Sequence, residues 1–252
     1  MIRSVQALIY AHLRATDGDI GRCRDFLFDD HFWTIRYMVA ETHKWLPGRK
    51  VLISPRALGD WNWRSDEIPV ALSRDGIKES PALRSDMPVS RQYELQLSAY
   101  YSWPPYWDGP HAWGSTMSPL PGPGPVSEER SIKTIEAPGE SHLRSVKEVT
   151  GYHIHALDDA VGHVEDFLLD TLTWSIRYLV VDTHNWRPGR KVLISPAWAG
   201  TVDWKRSLVH LRMDRKAVES SPEYDRERPL TREEEVDLHR HYDSKPYWLD
   251  SE

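Results

Sequence analysis

The side chains able to do covalent or acid–base chemistry recur in this chain at a constant spacing of 141 residues. Ser54 with His43, and Ser195 with His184, pair a hydroxyl with an imidazole, as a nucleophilic hydrolase requires. Each serine is followed by proline, and no Gly-x-Ser-x-Gly elbow surrounds it. Ser-Pro after an apolar run is better read as a helical N-cap, with proline at the first helical position. Asp25 with Arg36, and Asp166 with Arg177, could move protons, but on neighbouring strands they read as cross-strand ion pairs. The chain has 12 histidines. His153 and His155 alternate on a strand, while His239 and His241 sit two apart on a helix and diverge. Only His12 and His43 recur, as His153 and His184, and neither pair brings a ligand set. Cys23, the one cysteine, is replaced by Val164 in the second copy and reads as a core residue. The reading is therefore no catalytic residue, no cofactor and no metal, in a protein that is not an enzyme.

Binding chemistry concentrates at a turn. His43, Trp45 and Arg49, with His184, Trp186 and Arg190, place an aromatic ring and a cation beside Pro47-Gly48 and Pro188-Gly189. Trp and Arg dominate protein-interface hot spots, so these six residues are the candidate protein-binding set. Lys50 and Lys191 add too little charge for tracking phosphates.

These residues repeat because the chain is a duplication. At an offset of 141, Arg3 to Trp107 align without a gap on Arg144 to Trp248, and about 41 of roughly 105 pairs are identical. The strongest block runs from Trp45 to Pro55 against Trp186 to Pro196. Residues 1–107 and 144–252 are the two repeats. Residues 108–143 form a Pro/Gly-rich linker containing Pro119-Leu120-Pro121-Gly122-Pro123-Gly124-Pro125, expected to be extended and mobile.

Within each repeat the periodicity is that of short strands. Trp174, Ile176, Tyr178 and Val180 share one face, as do Trp33, Ile35, Tyr37 and Val39. A strand precedes this one, from Gly162 to Asp170, and another follows, from Arg190 to Ile194. The Pro-Gly connection suits a type II turn. Leu208 to Met213 is a further strand, and its counterpart carries Pro69, which predicts an edge position. Thr231 and Glu234 have capping-box spacing at the start of a helix. Leu97 with Tyr101, and Leu238 with Tyr242, fall on one helical face. Each repeat ends in Pro-Tyr-Trp, expected to fold back and seal one end of a barrel. The fold expected is mainly β: two small closed barrels, each with a short C-terminal helix, joined by the linker.

The run Gly162, Val164, Asp166-Phe167-Leu168-Leu169-Asp170, then Trp174, Ile176-Arg177-Tyr178-Leu179-Val180-Val181, then Lys191-Val192-Leu193-Ile194-Ser195-Pro196, resembles the PRC-barrel domain. That family includes the cytoplasmic barrel of the photosynthetic reaction-centre H subunit, the C-terminal barrel of ribosome-maturation factors and free-standing proteins with two barrels. The resemblance implies a tandem PRC-barrel protein acting as a protein-protein adaptor, with a reaction-centre H-subunit-like role open. A small-ligand or metal-sensing module is the alternative. The two barrels are expected to pair within the chain, like a covalently linked homodimer.

Composition bounds the rest. Of 252 residues 28% are charged, with net charge −6 and mean hydropathy −0.59. No run approaches the ~18–20 apolar residues of a membrane span, no secretory leader is evident, and the mild acidity argues against nucleic acid. A soluble cytoplasmic protein with protein partners is expected. Residues 1–110 carry 14 basic and 14 acidic side chains, and residues 144–252 carry 16 and 20, so the repeats are expected to meet different partners.

Overall fold

A computed structural model describes residues 1–42, 46–47, 49–59, 65–84, 88–120, 142–183 and 190–249. The N-terminal half contributes β1 (Ile2–Ser4), β2 (His12–Ala15), β3 (Gly18–Asp29), β4 (Thr34–Glu41), β5 (Arg49–Ile53), β6 (Glu67–Pro69), α1 (Arg74–Glu79), β7 (Leu83–Arg84) and α2 (Arg91–Tyr100). The C-terminal half contributes β8 (Leu143–Ser145), α3 (Val146–Val149), β9 (His153–His155), β10 (Ala160–Asp170), β11 (Ile176–Asp182), β12 (Lys191–Ile194), β13 (Ala199–Asp203), β14 (Leu208–Leu211), α4 (Arg215–Glu219) and α5 (Arg232–His241).

The fold is mainly β, with two seven-stranded sheets. The chain divides into two compact units, and each takes a piece from the other half of the sequence. Unit I comprises Ala7–Lys147 with Leu172–Ser175; unit II comprises Met1–Gln6, Glu148–Thr171 and Ile176–Glu252. In unit II the order is β12-β11-β10-β9-β14-β13, and β1 adds to β10. In unit I it is β6-β2-β3-β4-β5-β7, and β8 adds to β3. Each repeat thus lends its first strand to the sheet of the other.

The expected closed barrels are not formed: among the described residues each sheet keeps two ends. The reason lies in the long central strand. β10 gives one edge to β11, and on its other edge β9 takes Ala160, Gly162 and His163 while β1 takes Leu168 to Asp170. β5 carries only the short β7 on its outer edge, and the end strand β12 carries a bridge from Val192 to Glu223. Pro69 sits in β6, at the end of its sheet, where its missing amide costs no ladder bond.

Each hairpin has the same two irregularities. A bulge interrupts the ladder between Cys23 and Asp25, and between Val164 and Asp166. Gly21 and Gly162 lie where a Cβ would run into the carbonyl of Glu41 or Asp182, which accounts for glycine in both copies. Trp33, in a turn, and Trp174, just ahead of β11, have φ of +50° and +59° and are not strand residues as their period suggested.

The helices follow their caps. Ser54 and Ser195 accept from Arg56 N and Ala197 N, starting short 3-10 turns with proline at the first position. Thr231 and Glu234 form the capping box, and α5 has three glutamates in its first turn and His239, Arg240 and His241 in its last, matching its dipole. In unit I, α2 buries Tyr93 and Leu97 against Leu27, Tyr37, Leu52, Leu83, Val89 and Leu143. Cys23 is buried, as expected of a core position.

The segment read as a linker differs over its described part. Trp113 is only 2% exposed, and its indole N–H donates to the Thr173 carbonyl at 2.7 Å. A tryptophan with a partner for its polar edge buries readily, and this one anchors its segment on unit I. Residues 121–141 lie outside the described residues.

Candidate functional site

Of the hairpin-tip residues, His43, Trp45, His184 and Trp186 lie outside the described residues. Arg49 and Arg190 are described, and both work for the scaffold. Arg49 donates to the carbonyls of Lys78 (2.5 Å) and Ser80 (2.9 Å), at the C-terminal end of α1. Arg190 donates to the carbonyls of Glu219 and Ser221, at the end of α4. A guanidinium there satisfies orphan carbonyls and complements the negative end of the helix.

The expected ion pairs form with different partners. Arg36 pairs with Asp29 at 2.6 Å and Arg177 with Asp170 at 3.3 Å. Asp25 and Asp166 instead receive the exchanged strands. Asp25 accepts from Ser145 Oγ (2.5 Å), Lys147 N (3.1 Å) and Phe26 N (2.8 Å). Asp166 accepts from Ser4 Oγ (2.5 Å), Gln6 N (3.0 Å) and Phe167 N (2.7 Å). Burial pushes both carboxyls upward despite these donors. They are latches for β8 and β1, with their lone pairs committed to the fold.

The terminal Pro-Tyr-Trp segments do fold back, and they do so onto a buried glutamate. Glu94, on α2, accepts from Tyr106 Oη (2.8 Å) and Tyr37 Oη (3.3 Å) and pairs with Arg91 at 3.3 Å. Glu235, on α5, accepts from Tyr247 Oη (2.8 Å) and Tyr178 Oη (3.0 Å) and pairs with Arg232 at 2.9 Å. Arg91 and Arg232 each stack over the adjoining tryptophan, Trp107 or Trp248, at 4.0 Å. In unit II the Tyr178 hydroxyl also meets His239 Nε2 (3.2 Å), and His239 Nδ1 meets Ser244 Oγ (2.9 Å). Burial holds this imidazole below its ordinary value, so His239 is a neutral core member. The identity of Arg-x-x-Glu in both repeats, at 91/94 and 232/235, was the available signal for this cluster.

Burial, only partly offset by Arg91 and the two hydroxyls, pushes the Glu94 carboxyl up to about 7. Its folded value therefore exceeds its unfolded one. The stability it contributes is complete below about pH 4.5 and is lost as pH rises through about 7, roughly 3 kcal/mol in all. Glu94→Gln, which keeps an acceptor for both tyrosines, should flatten this dependence. Denaturation of the wild type and variant between pH 5 and 8 reads it, and parallel slopes would rule the assignment out.

A feature open to a ligand lies in unit II. A recess of about 130 Å³ lies between Leu193 of β12, the segment from Pro222 to Asp225, Leu230, and the Glu234–Leu238 face of α5. Its floor is apolar, and its rim carries Glu223, Asp225, Glu234 and Asp237. The corresponding residues of unit I are Ala82, Arg84, Tyr93 and Gln96. There Tyr93 and Leu83 join the core cluster and fill the same position, the Tyr93 hydroxyl donating to the Pro81 carbonyl at 3.1 Å. No three His, Cys, Asp or Glu among the described residues are grouped to hold a metal ion. No helix among them is long and apolar enough to cross a membrane. No family model and no curated protein matches the chain.

Proposed function

We propose that the chain is a non-enzymatic adaptor of tandem PRC-barrel type that binds other proteins through one specialised repeat. Two lines support this. The strand motifs quoted above resemble that domain, and the carboxylates of Asp25, Asp166, Glu94 and Glu235 are committed to hydrogen bonds that hold the scaffold together. The observation that carries the reading is the recess of unit II, open where the matching position of unit I is packed shut by Tyr93 and Leu83. Duplication leaves one copy free to keep the scaffold while the other acquires a surface. An apolar floor inside a polar rim is the anatomy of a small interface.

The adaptor reading predicts that tagged chain retains one or more proteins from native lysate saturably, and that excess untagged chain competes them away. Retention of nothing above a control resin would overturn it.

A further inference from the structure

We infer that the unit II recess docks a short segment of a partner protein in which one aliphatic side chain is flanked by lysine or arginine. This deepens the adaptor reading and rests on it.

The volume sets the size of the guest. An engineered apolar cavity of about 150 Å³ admits a benzene ring, so about 130 Å³ admits one aliphatic side chain and not a helix face. The floor sets its polarity: Leu193 and Leu238 are buried at the bottom, with Leu230 and Pro222 alongside. The rim sets the flanking charge. Glu223, Asp225 and Asp237 are exposed and Glu234 is half-buried. Arg228 bridges Asp225 and Glu234, and Arg240 pairs with Asp237 at 2.6 Å. Both arginines are more than half exposed, so exchanging them for a partner's cations costs little. Four carboxylates against two arginines leave the rim negative, which complements a basic segment and repels an acidic one.

The comparison between repeats isolates this chemistry from the scaffold. The floor positions Leu193, Pro222 and Leu238 are identical in unit I, as Leu52, Pro81 and Leu97. All four acidic positions differ there, and none is acidic. Common framework with a wholesale change at one mouth marks a surface altered for binding. It also supplies the blocking substitution, since Tyr already occupies the Glu234 position above an equivalent leucine.

The test uses the full-length chain and fluorescein-labelled peptides of a Gly-Lys-Leu-Lys-Gly type, with Lys-Ser-Lys and Glu-Leu-Glu controls, read by anisotropy. The basic aliphatic peptide should bind at least about tenfold more tightly than either control, and more weakly as salt rises. Glu234→Tyr should remove that binding. Because Glu234 belongs to the capping box, the exposed pair Asp225→Asn with Asp237→Asn serves as the second variant and should weaken binding about tenfold. Equal binding of all three peptides, or binding unchanged in both variants, would overturn the recess assignment. If wild type and Glu234→Tyr then retained the same lysate proteins, the adaptor reading would stand and this site for it would fall. If the wild type retained none, the adaptor reading would fail as well.

Discussion

Deleting Met1–Gln6 should loosen the sheet built by the C-terminal half of the chain and leave the N-terminal sheet intact. The deleted residues pair Ile2, Arg3 and Ser4 with Asp170, Leu169 and Leu168, and Val5 N donates to the Phe167 carbonyl at 2.8 Å. They also supply two of the three donors to Asp166, which is 5% exposed. Each donor lost from a buried carboxylate costs about 1–3 kcal/mol, so with the lost ladder the total is roughly 3 kcal/mol or more. Amide exchange reads the two units separately. Protection should fall across β10 and β11 and persist across β3 and β4, although β3 is much nearer the deletion in sequence. Loss confined to β3, or equal loss in both sheets, would contradict the strand exchange.

The exchange was not legible in the sequence, and the reason is physical. The lent strands end in Arg3-Ser4 and Arg144-Ser145, each followed by valine, and the receiving carboxylates are both aspartates followed by Phe-Leu. Either strand satisfies either sheet, so no local pattern decides which one it joins. What local chemistry does decide was readable: the serine and threonine caps, the capping box, the edge proline and the buried cysteine. The arginine partners were misassigned for want of the register. The ladder places Phe28 opposite Ile35 and Asp25 opposite Val39, which brings Asp29 beside Arg36 and turns Asp25 toward Ser145. The register shift between Leu27 and Phe28, which leaves Arg36 without a ladder partner, sets that phase, and bulges carry no simple period. The recess depends on four non-identical positions, and an alignment weighted toward identities passes over them.

Replacing Asp29 by Ala should be among the most damaging single substitutions in unit I, and the matching change at Asp170 should cost far less. Arg36 is 1% exposed, and its Nε donates to Asp29 while Nη1 and Nη2 have no hydrogen-bond partner among the described residues. The guanidinium lies over the rings of Tyr106 (3.9 Å) and Trp113 (4.8 Å), which attract it without accepting a proton. Without Asp29 a desolvated cation remains with ring faces alone, and removing one partner of a buried pair costs about 3–5 kcal/mol. The turn would also lose the acceptor for Phe32 N (2.6 Å). In unit II the pair is wetter, with Arg177 19% and Asp170 13% exposed, so Asp170→Ala should cost about 1 kcal/mol. Arg36→Met in the Asp29→Ala background removes the stranded charge and keeps the apolar stem. It should restore much of the loss, giving a coupling above about 1.5 kcal/mol in a double-mutant cycle. Native-state exchange at the β4 amides measures all four corners. Similar costs at Asp29 and Asp170, or no recovery in the double variant, would mean that Asp29 acts as a turn former and not as the counter-charge of Arg36.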